Sequence, residues 1–149
     1  MKTLIIARGI PGAGKTAFAN TLAAFSQECC VMASEDDYWM RDTRYDFSHD
    51  TVDDAFLFMA NKAMRAMAHD VPLVIIHTAA LDITSHVWKR IFMHALCNGY
   101  TAYPLIVQRN VHNAESSHGV SQSEMDRFRR DMVASLEVDI GYMGHDQNA

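Results

Sequence analysis

Gly9-Ile10-Pro11-Gly12-Ala13-Gly14-Lys15-Thr16 runs as a glycine, four residues and then Gly-Lys-Thr, the spacing of a Walker A loop. Its chemistry is phosphate binding. Glycines let successive backbone N–H groups turn inward around a phosphate, and a helix starting near Lys15 adds the positive end of its dipole. Lys15 reaches the β- and γ-phosphates, and the Thr16 hydroxyl is placed for Mg²⁺. A nucleoside triphosphate is the expected ligand, with ATP and Mg²⁺ as cofactors, held by Gly9, Pro11, Gly12, Ala13, Gly14, Lys15, Thr16 and Ala17. A second group follows at Ser34-Glu35-Asp36-Asp37-Tyr38. Phosphoryl transfer needs a carboxylate that takes the acceptor hydroxyl's proton or holds the metal through water. Asp36 is the candidate for both tasks, against the plainer alternative of a solvated acidic turn capping a helix.

These groups need elements to hold them. Residues 3–7 are a short apolar run ending at Arg8-Gly9, the pattern of a strand buried on both faces of a parallel sheet. Phe18, Leu22 and Phe25 recur at helical spacing among alanines, so residues 15–27 read as a helix. Residues 29–33 are a second apolar run that delivers the chain to the acidic stretch, which should stand just past a strand's C-terminal end. Val52, Phe56, Met59, Ala63, Met64 and Met67 mark a long helix over 50–69, with Ser48 or Asp50 as its cap and the methionines filling the core. Residues 72–76 form a strand ending at His77-Thr78, followed by a helix over 85–98 that Thr84 caps and Gly99 closes. Residues 101–108 make a further strand and 121–136 a final helix. The polar segment 109–119 between them has the size of a mobile lid. Strands alternating with helices predict one α/β domain over 1–140, a P-loop fold whose parallel sheet is sandwiched by helices, with a frayed tail at 141–149. The ligand crevice of such a sheet lies at the strand C-terminal ends.

Composition narrows the classes. A chain of 149 residues, 49% hydrophobic and 21% charged, suits one globular unit and excludes disorder, collagen and coiled coil. Thirteen Lys and Arg against eighteen Asp and Glu, a net charge of −5, argue against wholesale coating of nucleic acid, so phosphate contacts must be local. The apolar runs fall far short of the roughly 20 residues that span a bilayer. No membrane anchor is expected. Cys29, Cys30 and Cys97 are a poor disulfide framework, and no signal-peptide h-region precedes Arg8, so the cytoplasm is the expected compartment. No metal-ligand spacing occurs among the eight histidines and three cysteines, so zinc is not expected. His77, at the end of a core strand, is either a packed core histidine or a substrate contact. Tyr38, Trp39, Tyr45 and Phe47 either stack a base or pack a loop. Arg41 and Arg44, in the same segment, are candidates to grip an acceptor phosphate.

The loop at Gly9 to Thr16 followed by Asp36-Asp37-Tyr38 resembles the P-loop kinase group that contains the phage polynucleotide 5′-kinase and zeta-toxin-type kinases. Tyr45-Asp46-Phe47, the helix from Asp50, the strand over 73–76, and His118-Gly119-Val120-Ser121 with Met125 extend the likeness over residues 1–132. The resemblance implies a nucleic-acid kinase in which Asp36 is the general base. Two departures stand out. The group has an Asp followed closely by Thr-Asn-Leu after the third strand, where this chain reads His77-Thr78-Ala79-Ala80-Leu81. It also has lid arginines before the His-Gly-Val block, where Ala114-Glu115-Ser116-Ser117 stands here. Arg109 is the lid-side arginine that remains, with Arg127, Arg129 and Arg130 as further candidates to bridge the transferring phosphate.

The leading expectation is an ATP- and Mg²⁺-dependent kinase that passes the γ-phosphate to a hydroxyl of nucleic acid, a 5′-hydroxyl end first. A hydroxymethylated base in DNA, such as 5-hydroxymethyluracil, is the second acceptor, because a kinase reaching a flipped base reshapes the regions that depart here. A nucleoside or nucleotide is the third. A non-catalytic nucleotide-binding protein is the reading from another class. The catalytic set is Asp36, Lys15 and Arg109; the acceptor set is Asp37, Tyr38, Arg41, Arg44 and His77; Thr16 and Asp36 are the metal candidates. No Asn-Lys-x-Asp occurs, which argues against a GTPase switch. The sequence carries no signal for an oligomeric state.

Overall fold

The computed structural model describes residues 1–80 and 85–108, together with Ser121, Ser123, Asp126, Arg127 and Arg130. Its main sheet is built from β1 (Lys2–Arg8), β2 (Cys30–Ala33), β5 (Leu73–Thr78) and β6 (Tyr100–Ile106), all parallel, in the order β2-β5-β1-β6. The helices are α1 (Lys15–Phe25), α2 (Asp36–Trp39), α3 (Val52–Ala68) and α4 (His86–Cys97). A separate two-stranded hairpin pairs β3 (Met40–Arg41) with β4 (Arg44–Tyr45).

Side chains alternate across a strand, and that alternation separates the two faces. Leu4 and Ile6 of β1 and Val74 and Ile76 of β5 are fully buried with Met59, Ala63 and Met67 of α3 and Trp88 and Ile91 of α4. Ile75, between Val74 and Ile76, is buried on the opposite face, where α1 packs along β5. From β1 the chain therefore reaches β2 over one face through α1, and returns through α3 to β5 and through α4 to β6 over the other. Reversing direction while changing face is what right-handed parallel crossovers require. It opens a crevice at the C-terminal end of β1, where the connections diverge. Trp88 anchors the α3–α4 face with its ring 5.6 Å from Phe56. Its indole N–H is buried with no hydrogen-bond partner, a cost of about 1–3 kcal/mol that the packed ring must offset.

Element by element the α/β expectation holds over the described residues, with adjustments that have local causes. α1 ends at Phe25, not at 27, because Ser26 turns extended, and Phe25 is 83% exposed. Neither Ser48 nor Asp50 caps α3 with its side chain. A 3-10 turn over His49–Thr51 comes first, and the Thr51 hydroxyl donates to the Ser48 carbonyl at 3.0 Å. β5 continues to Thr78 because it stays in register with β1 as far as Arg8. Ser85 caps α4, accepting from the Trp88 amide at 3.5 Å, so the cap is not Thr84, which lies outside the described residues. β6 begins one residue earlier than the sequence pattern, at Tyr100, whose hydroxyl donates to the Val71 carbonyl at 2.6 Å. The methionine stripe is core, with Met59 and Met67 fully buried and Met64 packed against them. The segment 109–119 with Arg109, the 121–136 helix as a whole and the tail 141–149 lie outside the described residues. Among the described residues no helix is long and apolar enough to cross a membrane.

Candidate functional site

β1 ends wedged between its two neighbours. The Gly9 amide donates to the Thr78 carbonyl of β5 at 3.3 Å, and the Val107 amide, just past β6, donates to the Arg8 carbonyl at 2.8 Å. A Cβ at position 9 would stand 2.6 Å from the Val107 carbonyl oxygen, so only glycine fits there. The loop then curls back, with the Ala13 amide donating to the Ile10 carbonyl at 3.1 Å. Gly14 caps α1 at φ 91°, a left-handed conformation that glycine adopts without strain. Thr16 and Ala17, in the first turn of α1, are exposed, so that turn is open to a ligand.

Lys15 lies folded over this loop. Its ammonium donates to the Gly9 carbonyl at 2.8 Å and the Ile10 carbonyl at 2.9 Å. Burial lowers its pKa from the ordinary 10.5 to about 8, while the carboxylates of Glu35 and Asp36 pull the other way. Those carboxylates come from the end of β2. Ser34 closes the strand, and its hydroxyl accepts from the Asp36 amide at 3.2 Å, which starts the single turn of α2.

The three consecutive acids then diverge. Glu35 accepts a short hydrogen bond from the Thr78 hydroxyl, and burial raises its carboxyl pKa despite that bond. Asp36 Oδ1 accepts from the Tyr45 hydroxyl at 2.9 Å. Burial and then the Asp36 carboxylate push the Tyr45 phenol well above its ordinary range, so it stays protonated. Asp37 Oδ2 accepts from the Ser34 amide at 3.2 Å and from Lys62 of α3 at 2.7 Å. His77, 8% exposed on β5, has its pKa lowered by burial, with Asp37, Asp36, Lys15 and Lys62 near enough to act on it electrostatically.

The structure thus brings together Lys15, Asp36 and His77 from three strand ends. Asp37, expected at the acceptor, has its carboxylate on Lys62 of α3 and on the Ser34 amide. The aromatic cluster divides. Trp39 is 7% exposed, its indole N–H donates to the Thr51 hydroxyl at 2.9 Å, and its ring packs edge-on against Tyr38, Tyr45 and Phe47, so it holds the loop and does not stack a base. Tyr38 also meets Phe58 at 5.8 Å, and Phe47 stays 45% exposed. Arg41 and Arg44 stand directly opposite each other on the hairpin, both exposed, with Asp42 in the turn at φ 54°. Arg109 and Arg129 lie outside the described residues.

Glu35, Thr78 and Tyr45 are the site residues that sequence reasoning missed. Glu35 had a signal: three consecutive acids after a strand cannot all face one ligand, so one had to turn inward. Thr78 had none, since its partner lies 43 residues away, and Tyr45 drew notice only as part of the aromatic cluster. No group of three or more His, Cys, Asp or Glu residues among the described ones is arranged to hold a metal by itself. Thr16, Glu35 and Asp36 offer oxygen donors alone, the set that suits Mg²⁺ shared with phosphate oxygens and water.

No family model matches the sequence. The structure is similar to a chain of the Pnkp1/Rnl/Hen1 RNA repair complex, with a TM-score of 0.67 and 13% identity over 91% of this chain. The match spans 45% of that chain. It is also similar to Chaetomium thermophilum Kti12 in complex with ADP-AlF3, with a TM-score of 0.53, 18% identity, 86% of this chain and 79% of that one. At these identities the likeness is one of fold. The fold is P-loop kinase-like, a parallel sheet flanked by helices with a phosphate-type loop after its first strand.

Proposed function

We propose that this chain is a phosphotransferase that binds a nucleoside triphosphate, with Mg²⁺, on residues 9–17 and passes the γ-phosphate to a hydroxyl of nucleic acid, a polynucleotide 5′-hydroxyl end being the acceptor. The observation that carries this reading is Lys15: a partly desolvated ammonium on the P-loop, within electrostatic reach of both Glu35 and Asp36. Two carboxylates opposite the lysine can hold a Mg²⁺ ion through water or take the acceptor's proton. A loop that transfers phosphate needs one of them. The likeness to a chain of an RNA repair complex supports a nucleic-acid acceptor.

In this reading the triphosphate displaces the Gly9 and Ile10 carbonyls from Lys15, whose charge then meets the β- and γ-phosphates. The amides of the loop and of the first turn of α1 hold the remaining phosphate oxygens. Thr16 would hold Mg²⁺, with Glu35 and Asp36 reaching its waters, and the ion would supply charge neutralisation at the phosphates. The acceptor hydroxyl attacks the γ-phosphorus in line, the bond to the β–γ bridging oxygen breaks, and the nucleoside diphosphate leaves. The hydroxyl proton passes to the Asp36 carboxylate. Arg41 and Arg44 present two guanidiniums at the hairpin edge, suited to a phosphate of the acceptor strand. His77, within electrostatic reach of Asp36, is a candidate acceptor contact, and Arg109 is the candidate to bridge the transferring phosphoryl group.

The test is transfer of label from γ-labelled ATP with Mg²⁺ to 5′-hydroxyl DNA, 5′-hydroxyl RNA, DNA carrying 5-hydroxymethyluracil and free nucleosides. The expected result is label on a 5′-hydroxyl end, lost in Lys15→Ala and in Asp36→Ala. Label on the modified base or on a nucleoside would move the acceptor. Tight ATP binding without label on any acceptor would make the chain a nucleotide-binding protein.

A further inference from the structure

We infer that Tyr45 is a positioning residue for phosphoryl transfer: its hydroxyl holds one oxygen of the Asp36 carboxylate so that the other faces the acceptor hydroxyl. This rests on the reading of Asp36 as the base. The two residues are nine apart in the chain, and the hairpin brings them together, with Met40 paired to Tyr45 and Arg41 to Arg44. The hairpin is itself tied down at its root. The Asp46 amide donates to the Trp39 carbonyl at 2.9 Å, and the buried Trp39 ring lies 6.3 Å from the Tyr45 ring at an interplanar angle of 73°. Trp39 is in turn anchored through its indole N–H to Thr51 at the start of α3. A phenol seated this firmly points its O–H at one place.

A carboxylate on a short side chain otherwise rotates about its last bond, and each orientation that turns its lone pairs away from the acceptor is unproductive. A hydrogen bond to one oxygen removes that freedom before the substrate arrives, which is how fixed neighbours lower a barrier without touching the substrate. The neighbouring acids are held too, but toward other parts of the fold. Glu35 is drawn inward by Thr78 and Asp37 outward by Lys62. Asp36 alone of the three is held by a group on the hairpin that also carries the two exposed arginines.

The experiment uses the full chain with γ-labelled ATP and a 5′-hydroxyl oligonucleotide. Tyr45→Phe keeps the ring on Trp39 and removes only the hydroxyl. The expected result is a kcat lowered about 10- to 100-fold, the scale of a misplaced reacting group, with KM for ATP and Tm held. In an Asp36→Asn background the same change should add nothing. Placing 4-aminophenylalanine at position 45 returns an N–H donor on a ring of the same shape, and should recover much of the lost kcat; it also serves where the Phe variant is too unstable to assay. Full kcat in Tyr45→Phe overturns the assignment. So does a loss of equal size in the Asp36→Asn background, which would mark a purely structural effect, or a 4-aminophenylalanine variant no faster than Phe. Wild-type chain that binds ATP but labels no acceptor overturns the reading of Asp36 as a base, and Tyr45 falls with it; an active wild type with an indifferent Tyr45 overturns Tyr45 alone.

Discussion

The glycine loop after β1 and the acidic corner after β2 stand on either side of the end of β5, yet they are held in different ways. The loop is made of backbone: Gly9 wedged against Val107, Gly14 in a left-handed turn, the Ala13 amide on the Ile10 carbonyl, and all its parts within one short stretch of chain. The corner is made of side chains whose partners come from elsewhere, Glu35 from Thr78, Asp36 from Tyr45 and Asp37 from Lys62. Thr78 joins the two regions, taking the Gly9 amide on its carbonyl and giving its hydroxyl to Glu35. A local motif can therefore persist while the chemistry beside it is rebuilt, since the loop constrains only its own backbone. Here the end of β5 carries a threonine, and the carboxylate beside it is delivered from β2.

The sharpest way to separate the regions is to disable each in turn. Lys15→Ala should lower both ATP affinity, by titration calorimetry, and label transfer, the latter by about 10³-fold, as loss of a charge-stabilising group does. Asp36→Ala should lower transfer by about 10²-fold, the scale of a lost general base, while ATP affinity stays close to wild type. Equal loss of ATP binding in both variants would mean the corner serves only the nucleotide. Gly9→Ala sets a Cβ against the Val107 carbonyl and should cost about 1–3 kcal/mol, read as a fall in Tm together with weakened ATP binding. A Tm equal to wild type would show that the end of β6 yields easily. Thr78→Val removes the hydroxyl that meets Glu35 and should cost about 1–2 kcal/mol in thermal unfolding, because a carboxyl in a desolvated place loses its partner.

The smallest effect is on pH. With the Lys15 pKa lowered to about 8, the unfolded chain keeps a proton that the ligand-free folded chain has lost between pH 8 and 10.5. The unfolded state then binds more protons, so this group's contribution to stability rises with pH through that window. ATP affinity should run the opposite way and decline above pH 8, because binding to the phosphates must then take up the proton that free Lys15 has lost. Lys15→Met should flatten both trends; persistence of either trend in that variant would assign it to another group.

From the residues alone, the strand, glycine turn and helix around residues 9–16 could be read, because such a turn is a property of neighbours in the chain. The parallel sheet and its helices were legible for the same reason: residues 3–7 and 72–76 are continuous apolar runs, and α3 carries its stripe in Phe56, Met59, Ala63 and Met67. The sequence also placed an acidic stretch after β2 and named Asp36 within it. The direction each acid faces was decided by tertiary structure. Asp37, expected at the acceptor, is bound to a lysine 25 residues away, and Glu35, which drew no notice, meets a threonine 43 residues away. The Trp39 ring, open to a stacking role on paper, is buried by α3 and the hairpin. The physical reason is common to these cases. Backbone conformation and hydrophobic periodicity are set by nearest neighbours, whereas the partner of a polar side chain is chosen among groups that only the completed sheet brings within hydrogen-bonding distance.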